Sequence, residues 1–122
     1  MTWTNTPGTW SGGCVNSITV TFTATDDCGN ASTTQATFTI EDTTPPTIDT
    51  PASNGSSECQ SPIADNNTDY IAWLANNGGA QATDLCNNVT WTNTPGTWSG
   101  GCVNTLTVTF TITDDCGNAS TT

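Results

Sequence analysis

Ser17-Ile18-Thr19-Val20-Thr21-Phe22-Thr23-Ala24-Thr25 alternates without a break, Ile18, Val20, Phe22 and Ala24 on one side and threonines on the other. Side chains of an extended chain point to opposite faces in turn, so this period of two predicts a strand with one face buried and the other in water. Asp26 to Asn30 is a run of turn formers, and Gln35 to Glu41 resumes the alternation with Ala36, Phe38 and Ile40 inward, which predicts a β-hairpin.

The same stretch occurs twice. Trp3 to Thr34 returns 88 residues later as Trp91 to Thr122, changed only at Ser17/Thr105, Ile18/Leu106 and Ala24/Ile112. A period of that length is a whole domain, so the parent protein is expected to be a string of beads that fold largely one by one. Met1 stands where the second copy has Val89, in mid-strand, and Thr122 stops before the counterpart of Gln35 to Glu41. The sequence is therefore expected to be a piece of a longer protein. On this reading residues 1–41 are the C-terminal part of one repeat, 42–47 a linker, and 48–122 the next repeat without its last strand. Paired prolines in Asp42-Thr43-Thr44-Pro45-Pro46-Thr47 favour extended backbone and predict a stiff joint.

Composition narrows the function. The 122 residues include no Lys, Arg or His, and nine Asp with two Glu give a formal charge of -11. Phosphate-gripping side chains are absent, which excludes nucleic acid as a partner. Attraction to an anionic membrane needs basic segments that this chain lacks, and no apolar run is long enough to insert directly into a bilayer. Catalysis has no His or Lys to act as base and no Arg to hold an anion, so no enzyme is expected. Thr makes up about a quarter of the residues and Gly, Asn and Ser are abundant, a mixture of strand formers and turn formers.

One segment breaks the β pattern. Thr68 to Asn77 carries Tyr70, Ile71, Trp73 and Leu74 at near-helical spacing, with Asn67 or Thr68 as cap and Gly78-Gly79 as stop. With Val89 and Trp91 marking a further short strand, the expected architecture is all-β: immunoglobulin-like sandwich repeats in tandem, with one short helix per repeat covering a sheet.

Thr111-Ile112-Thr113-Asp114-Asp115-Cys116-Gly117-Asn118, followed by an alternating strand ending in Glu41-Asp42-Thr43-Thr44-Pro45-Pro46-Thr47-Ile48, resembles the hyalin-type repeats of giant secreted surface proteins of Bacteroidetes. These are similar to the adhesins tied to gliding motility and attachment. The resemblance covers the whole repeat and implies an immunoglobulin-like fold, secretion and adhesion, with neighbouring repeats, surface glycans, other cells or substrata as partners.

Six cysteines without a Cys-x-x-Cys pair or a histidine predict disulfides in an oxidising, extracellular compartment. A complete repeat holds Cys59, Cys86, Cys102 and Cys116, which allow three connectivities. Cys102 and Cys116 flank the long strand and lie roughly 30 Å or more apart if it is straight. An antiparallel strand through Val89 and Trp91 would bring Cys86 to Cys116, leaving Cys59 for Cys102. Cys14 and Cys28, equivalent to Cys102 and Cys116, would have their partners outside this sequence.

The acidic residues Glu41, Asp42, Asp84, Asp114 and Asp115, with Asn118, are candidate calcium ligands, because calcium takes six to eight oxygens and would stiffen a joint. The competing reading is that Asp and Gly-Asn simply make the turn. Trp3, Trp10, Trp91 and Trp98 could stack on sugars, although packing within the fold competes for the same rings. A threonine ladder also suggests an ice-binding face, but a twisted sandwich offers no long flat array. Asn30, Asn54, Asn66, Asn88 and Asn118 open Asn-x-Ser/Thr sequences, common by chance in this composition. Asp42-Thr43-Thr44 resembles the O-glycosylation signal of secreted Bacteroidetes proteins and makes Thr43 a candidate site. The expected function is a structural or adhesive repeat of an extracellular, cell-surface filament or stalk. The alternative is a carbohydrate-binding module of a secreted protein.

Overall fold

The alternating stretch forms β2 (Val15–Thr25), flanked by β1 (Thr2–Pro7) and β3 (Ala31–Glu41) in an antiparallel sheet of order β1-β2-β3. The computed structural model describes residues 1–59, 64–86 and 88–122, which divide into two compact units, Met1–Asp42 and Thr43–Thr122. Strands account for most of the regular structure, all strand pairs are antiparallel, and one α-helix is present among the described residues.

In the first unit the β2–β3 register sets Ile18 opposite Phe38, Val20 opposite Ala36 and Phe22 opposite Thr34. Residues directly opposite in an antiparallel pair share a face, so the apolar positions of both strands line one side, as their alternation requires. On the other side Thr19 and Thr37 hydroxyls meet at 2.9 Å, and Gln35 Nε2 donates to Thr21 Oγ1 at 3.1 Å. No second layer lies on the apolar side among the described residues of this unit. Phe38 is 63% exposed, Ile40 55% and Trp3 65%, while Phe22 is half-buried.

The second unit repeats the same sheet with a cover. It comprises β4 (Thr47–Thr50), α1 (Thr68–Ala75), β5 (Gln81–Thr83), β6 (Val89–Pro95), β7 (Val108–Asp114) and β8 (Ala119–Thr121). Sheet order is β6-β7-β8, with β4-β5 as a separate pair. Trp91 faces Ile112 as Trp3 faces Ala24, and Ile112 faces Ser120 as Ala24 faces Ser32. The strand β7 is shorter than β2 because β3 accompanies β2 along its full length, whereas β8 pairs only with Thr111 to Thr113.

The helix begins where Asn67 Oδ1 accepts the N–H groups of Asp69 and Tyr70, both at 3.0 Å, satisfying two of the donors that a helix start leaves without partners. It ends before Gly78, whose φ of 63° suits a residue without Cβ. A Cβ there would come within 3.1 Å of Ala52 Cβ and 3.2 Å of Phe110 Cε2. The bare backbone thus lets the chain lie directly on the sheet.

Trp73 stacks edge-on against Phe110, with ring centroids 5.3 Å apart, and its Nε1 donates to the Ser53 carbonyl at 2.9 Å. Phe110 and Ile112 are wholly buried, at 0% exposure, and Pro46 is buried with them. Ser120 Oγ donates to the Pro46 carbonyl at 2.7 Å, and Ala52 N–H donates to Thr122 Oγ1 at 3.1 Å. Pro46 therefore belongs to the body of the second unit although it falls within the stretch expected to link two beads.

Removing a buried phenyl ring loses its transfer free energy and leaves a cavity, so Phe110→Ala is expected to lower the stability of the second unit by about 3–5 kcal/mol. The half-buried Phe22 has less to lose, and Phe22→Ala should cost the first unit about 1 kcal/mol. Denaturant unfolding with hydrogen exchange read separately in β2 and β7 tests the difference. Equal losses would contradict it.

Candidate functional site

Two places gather chemistry-bearing side chains: the Asp-x-Cys turns and a groove beside α1. The hairpin tip Asp114-Asp115-Cys116-Gly117-Asn118 is held by one carboxylate. Asp114 Oδ1 accepts the N–H groups of Cys116 at 2.8 Å and Asn118 at 2.9 Å, and Oδ2 accepts Asn118 Nδ2 at 2.9 Å. Gly117, at φ 89°, supplies the left-handed step. In the first unit Asp26 does the same with Cys28, Asn30 and Asn30 Nδ2, at 2.9, 2.9 and 2.8 Å. Asp84 repeats the first bond, accepting the Cys86 N–H at 2.9 Å.

These bonds favour the ionised form. The Asn30 side chain, helped by backbone N–H groups, lowers the Asp26 pKa. Burial pushes the Asp114 pKa upward, but hydrogen bonds from Asn118, Cys116 and Gly117 outweigh it and hold the carboxyl below the usual aspartate value.

The structure places the expected calcium ligands unequally. Asp84 and Asp114 offer carboxylate oxygens within 4.8 Å of each other in the second unit. Both carboxylates already accept backbone N–H groups, so a cation there would compete with the turns. Asp115 is exposed and accepts from Asn88 Nδ2 at 3.4 Å, and Asn118 spends its amide on Asp114. Glu41, exposed, and Asp42, half-buried, end the first unit.

The cysteines differ from expectation. The antiparallel premise holds, since Val89 pairs with Asp114 and Cys86 and Cys116 lie just beyond the same end of the β6–β7 ladder. Yet Cys14 and Cys116 are the disulfide-bonded residues, while Cys28, Cys59, Cys86 and Cys102 are exposed free thiols. Neither Cys86–Cys116 nor Cys59–Cys102 is present in the structure: Cys59, Cys86 and Cys102 are free, and Cys116 is already bonded. The disulfide fits an oxidising compartment. No helix among the described residues is long and apolar enough to cross a membrane.

Thr43 is exposed, as are Asn54, Asn66 and Asn88. Asn30 and Asn118, by contrast, donate their side-chain amides to Asp26 and Asp114, so modifying them would break the turns.

The groove lies between α1 and the chain leaving β6. It encloses about 530 Å³ and is lined by Asp65, Tyr70, Ile71, Leu74, Pro95 and Trp98, among others. Trp98 Nε1 donates to Asp65 Oδ1 at 2.7 Å, and its ring meets Tyr70 edge-on with centroids 5.2 Å apart. Burial, and then the negative charge of Asp65, raise the Tyr70 pKa and keep the phenol protonated. Trp98 is half-buried here, whereas its counterpart Trp10 is 44% exposed in a unit without the helix. Sequence reasoning singled out Trp98 but missed Asp65, Ile71 and Leu74 as its neighbours. The spacing of Tyr70, Ile71 and Leu74 along one helix was the available signal; nothing in the sequence tied that helix to Trp98.

Comparison with protein-family models, curated proteins and solved structures returns no match for this chain.

The lowered carboxyl values set a direction for pH dependence. In the folded turns Asp26 and Asp114 hold their protons less tightly than in the unfolded chain, so the unfolded state binds more protons between the two values. The stabilisation is complete above about pH 4, the ordinary range for aspartate, and is lost as pH falls through the lowered values. Protection of the Cys116 and Asn118 amides, taken as the exchange rate relative to the unfolded chain at the same pH, should therefore fall only below about pH 4, and Asp114→Asn should blunt that dependence. Protection that is the same above and below about pH 4 would show that the carboxylate does not hold the turn.

Proposed function

We propose that this chain is a structural repeat segment of an extracellular, cell-surface filament or stalk. The whole repeat is read as an immunoglobulin-like bead of 88 residues, and its likeness to hyalin-type repeats of Bacteroidetes surface adhesins supports an adhesive role. One observation carries the reading: the two copies reproduce the same strand register and turn chemistry residue for residue. Thr2 opposite Thr25 becomes Thr90 opposite Thr113, and the Asp26–Asn30 turn becomes the Asp114–Asn118 turn. Such a unit adds length without adding chemistry. The threonine-lined sheet faces, with a net charge of -11 over the 122 residues, favour solubility, and the absence of Lys and Arg leaves trypsin no site.

Proteins carrying two, four and eight periods of 88 residues are expected to appear in the electron microscope as extended strings whose contour length grows in proportion to repeat number. Compact particles whose diameter grows only with the cube root of mass would refute the stalk.

The groove at Trp98 favours a second reading, a carbohydrate-binding module. A half-buried indole beside Tyr70 offers an apolar ring face, and Asp65 offers acceptors for sugar hydroxyls. On a glycan array this reading expects binding that Trp98→Ala lowers at least tenfold. An array on which the unaltered protein binds nothing dismisses it.

A further inference from the structure

We infer that the exposed apolar face of the first unit's sheet is a docking surface for one occupant: a second copy of the segment at residues 43–88 of this same sequence. The inference deepens the bead reading and does not depend on the stalk.

The second unit shows what fits this face. The contacts that join the covering segment to the sheet there include Trp73 on Phe110 at 5.3 Å, Ser120 Oγ to the Pro46 carbonyl at 2.7 Å, and Ala52 N–H to Thr122 Oγ1 at 3.1 Å. Every sheet residue in those contacts has an identical counterpart in the first unit: Phe22 for Phe110, Ser32 for Ser120 and Thr34 for Thr122. The ladders place these counterparts together. Phe22 faces Thr34, and Ala24 faces Ser32, on the side that also carries Ile18, Val20 and Phe38. Ser32 and Thr34 are exposed, and Phe22 is only half-buried. The receptor half of the interface is thus present twice, and the covering half once.

Shape agrees with sequence, because β1–β2 and β6–β7 have the same register. A segment shaped to one sheet therefore meets the same pleat on the other. One position differs inside the contact, Ala24 where the second unit buries Ile112. The docked segment should leave a small void there, since a missing side chain is filled only partly by relaxation.

The test extends the chain. A second copy of residues 43–88 is joined ahead of residue 1, with Met1→Val so that the junction matches Asn88-Val89 of the second copy. Exchange at the Phe22 and Ala24 amides should slow at least tenfold, approaching that at Phe110 and Ile112, and binding of an apolar dye should fall. Trp73→Ala in the added copy alone should reverse both effects. Ala24→Ile in the extended chain should raise the Tm of the completed unit by filling the void.

Unchanged exchange and dye binding on extension would overturn the inference, as would protection that survives Trp73→Ala in the added copy. So would burial of the face in a dimer of the original chain, seen as concentration-dependent sedimentation abolished by Phe38→Asp. Failure here with extended strings in the microscope would leave the stalk intact, and compact strings with a protected Phe22 would do the reverse.

Discussion

Trp73 against Phe110 is the contact on which the second unit rests. A three-stranded sheet with one apolar side cannot shield that side by itself, and nearly everything distinctive between Thr43 and Cys86 serves to lay a cover on it. Asn67 starts the helix that carries Trp73. Gly78, without a side chain, lets the returning backbone touch Phe110. Pro46 and Ala52 meet the hydroxyls of Ser120 and Thr122 at the sheet margin. The first unit is the natural control: nearly the same strands, no cover among its described residues, and Phe22 left half-exposed.

The turns solve a different problem. A hairpin tip leaves backbone N–H groups unpaired, and one aspartate per tip satisfies them while remaining charged. This use of Asp26 and Asp114 accounts for part of the acidity without any ligand, since a carboxylate bonded to two amides and a side-chain amide has little capacity left for a cation. The chain's negative charge is in this respect partly architectural.

Repetition gives these local solutions their meaning. An arrangement that recurs with the same register 88 residues later is a module. The groove at Trp98 exists because Asp65 and Tyr70 meet the indole across it.

Sequence alone determined the long hairpin strands, the Asp-x-Cys turns and the helix, but not the short pair β4–β5. Their signals are local: alternation over Ser17 to Thr25, Asp-x-Cys-Gly-Asn at the tips, and an Asn cap with a Gly-Gly stop around Thr68 to Ala75. Each is set by backbone geometry within a few residues, so each could be read without knowing what lies opposite. Tertiary structure decided which apolar face is buried, which cysteines are oxidised and which residues stand beside Trp98. Nearly identical strands end up buried or bare according to whether a distant segment lies on them, and a sulfur's partner depends on which residues meet in space. Asp65, 33 residues from Trp98 along the chain, became its neighbour only through tertiary packing. Pairing across such separations is fixed by the competition among all available surfaces, which no local pattern encodes.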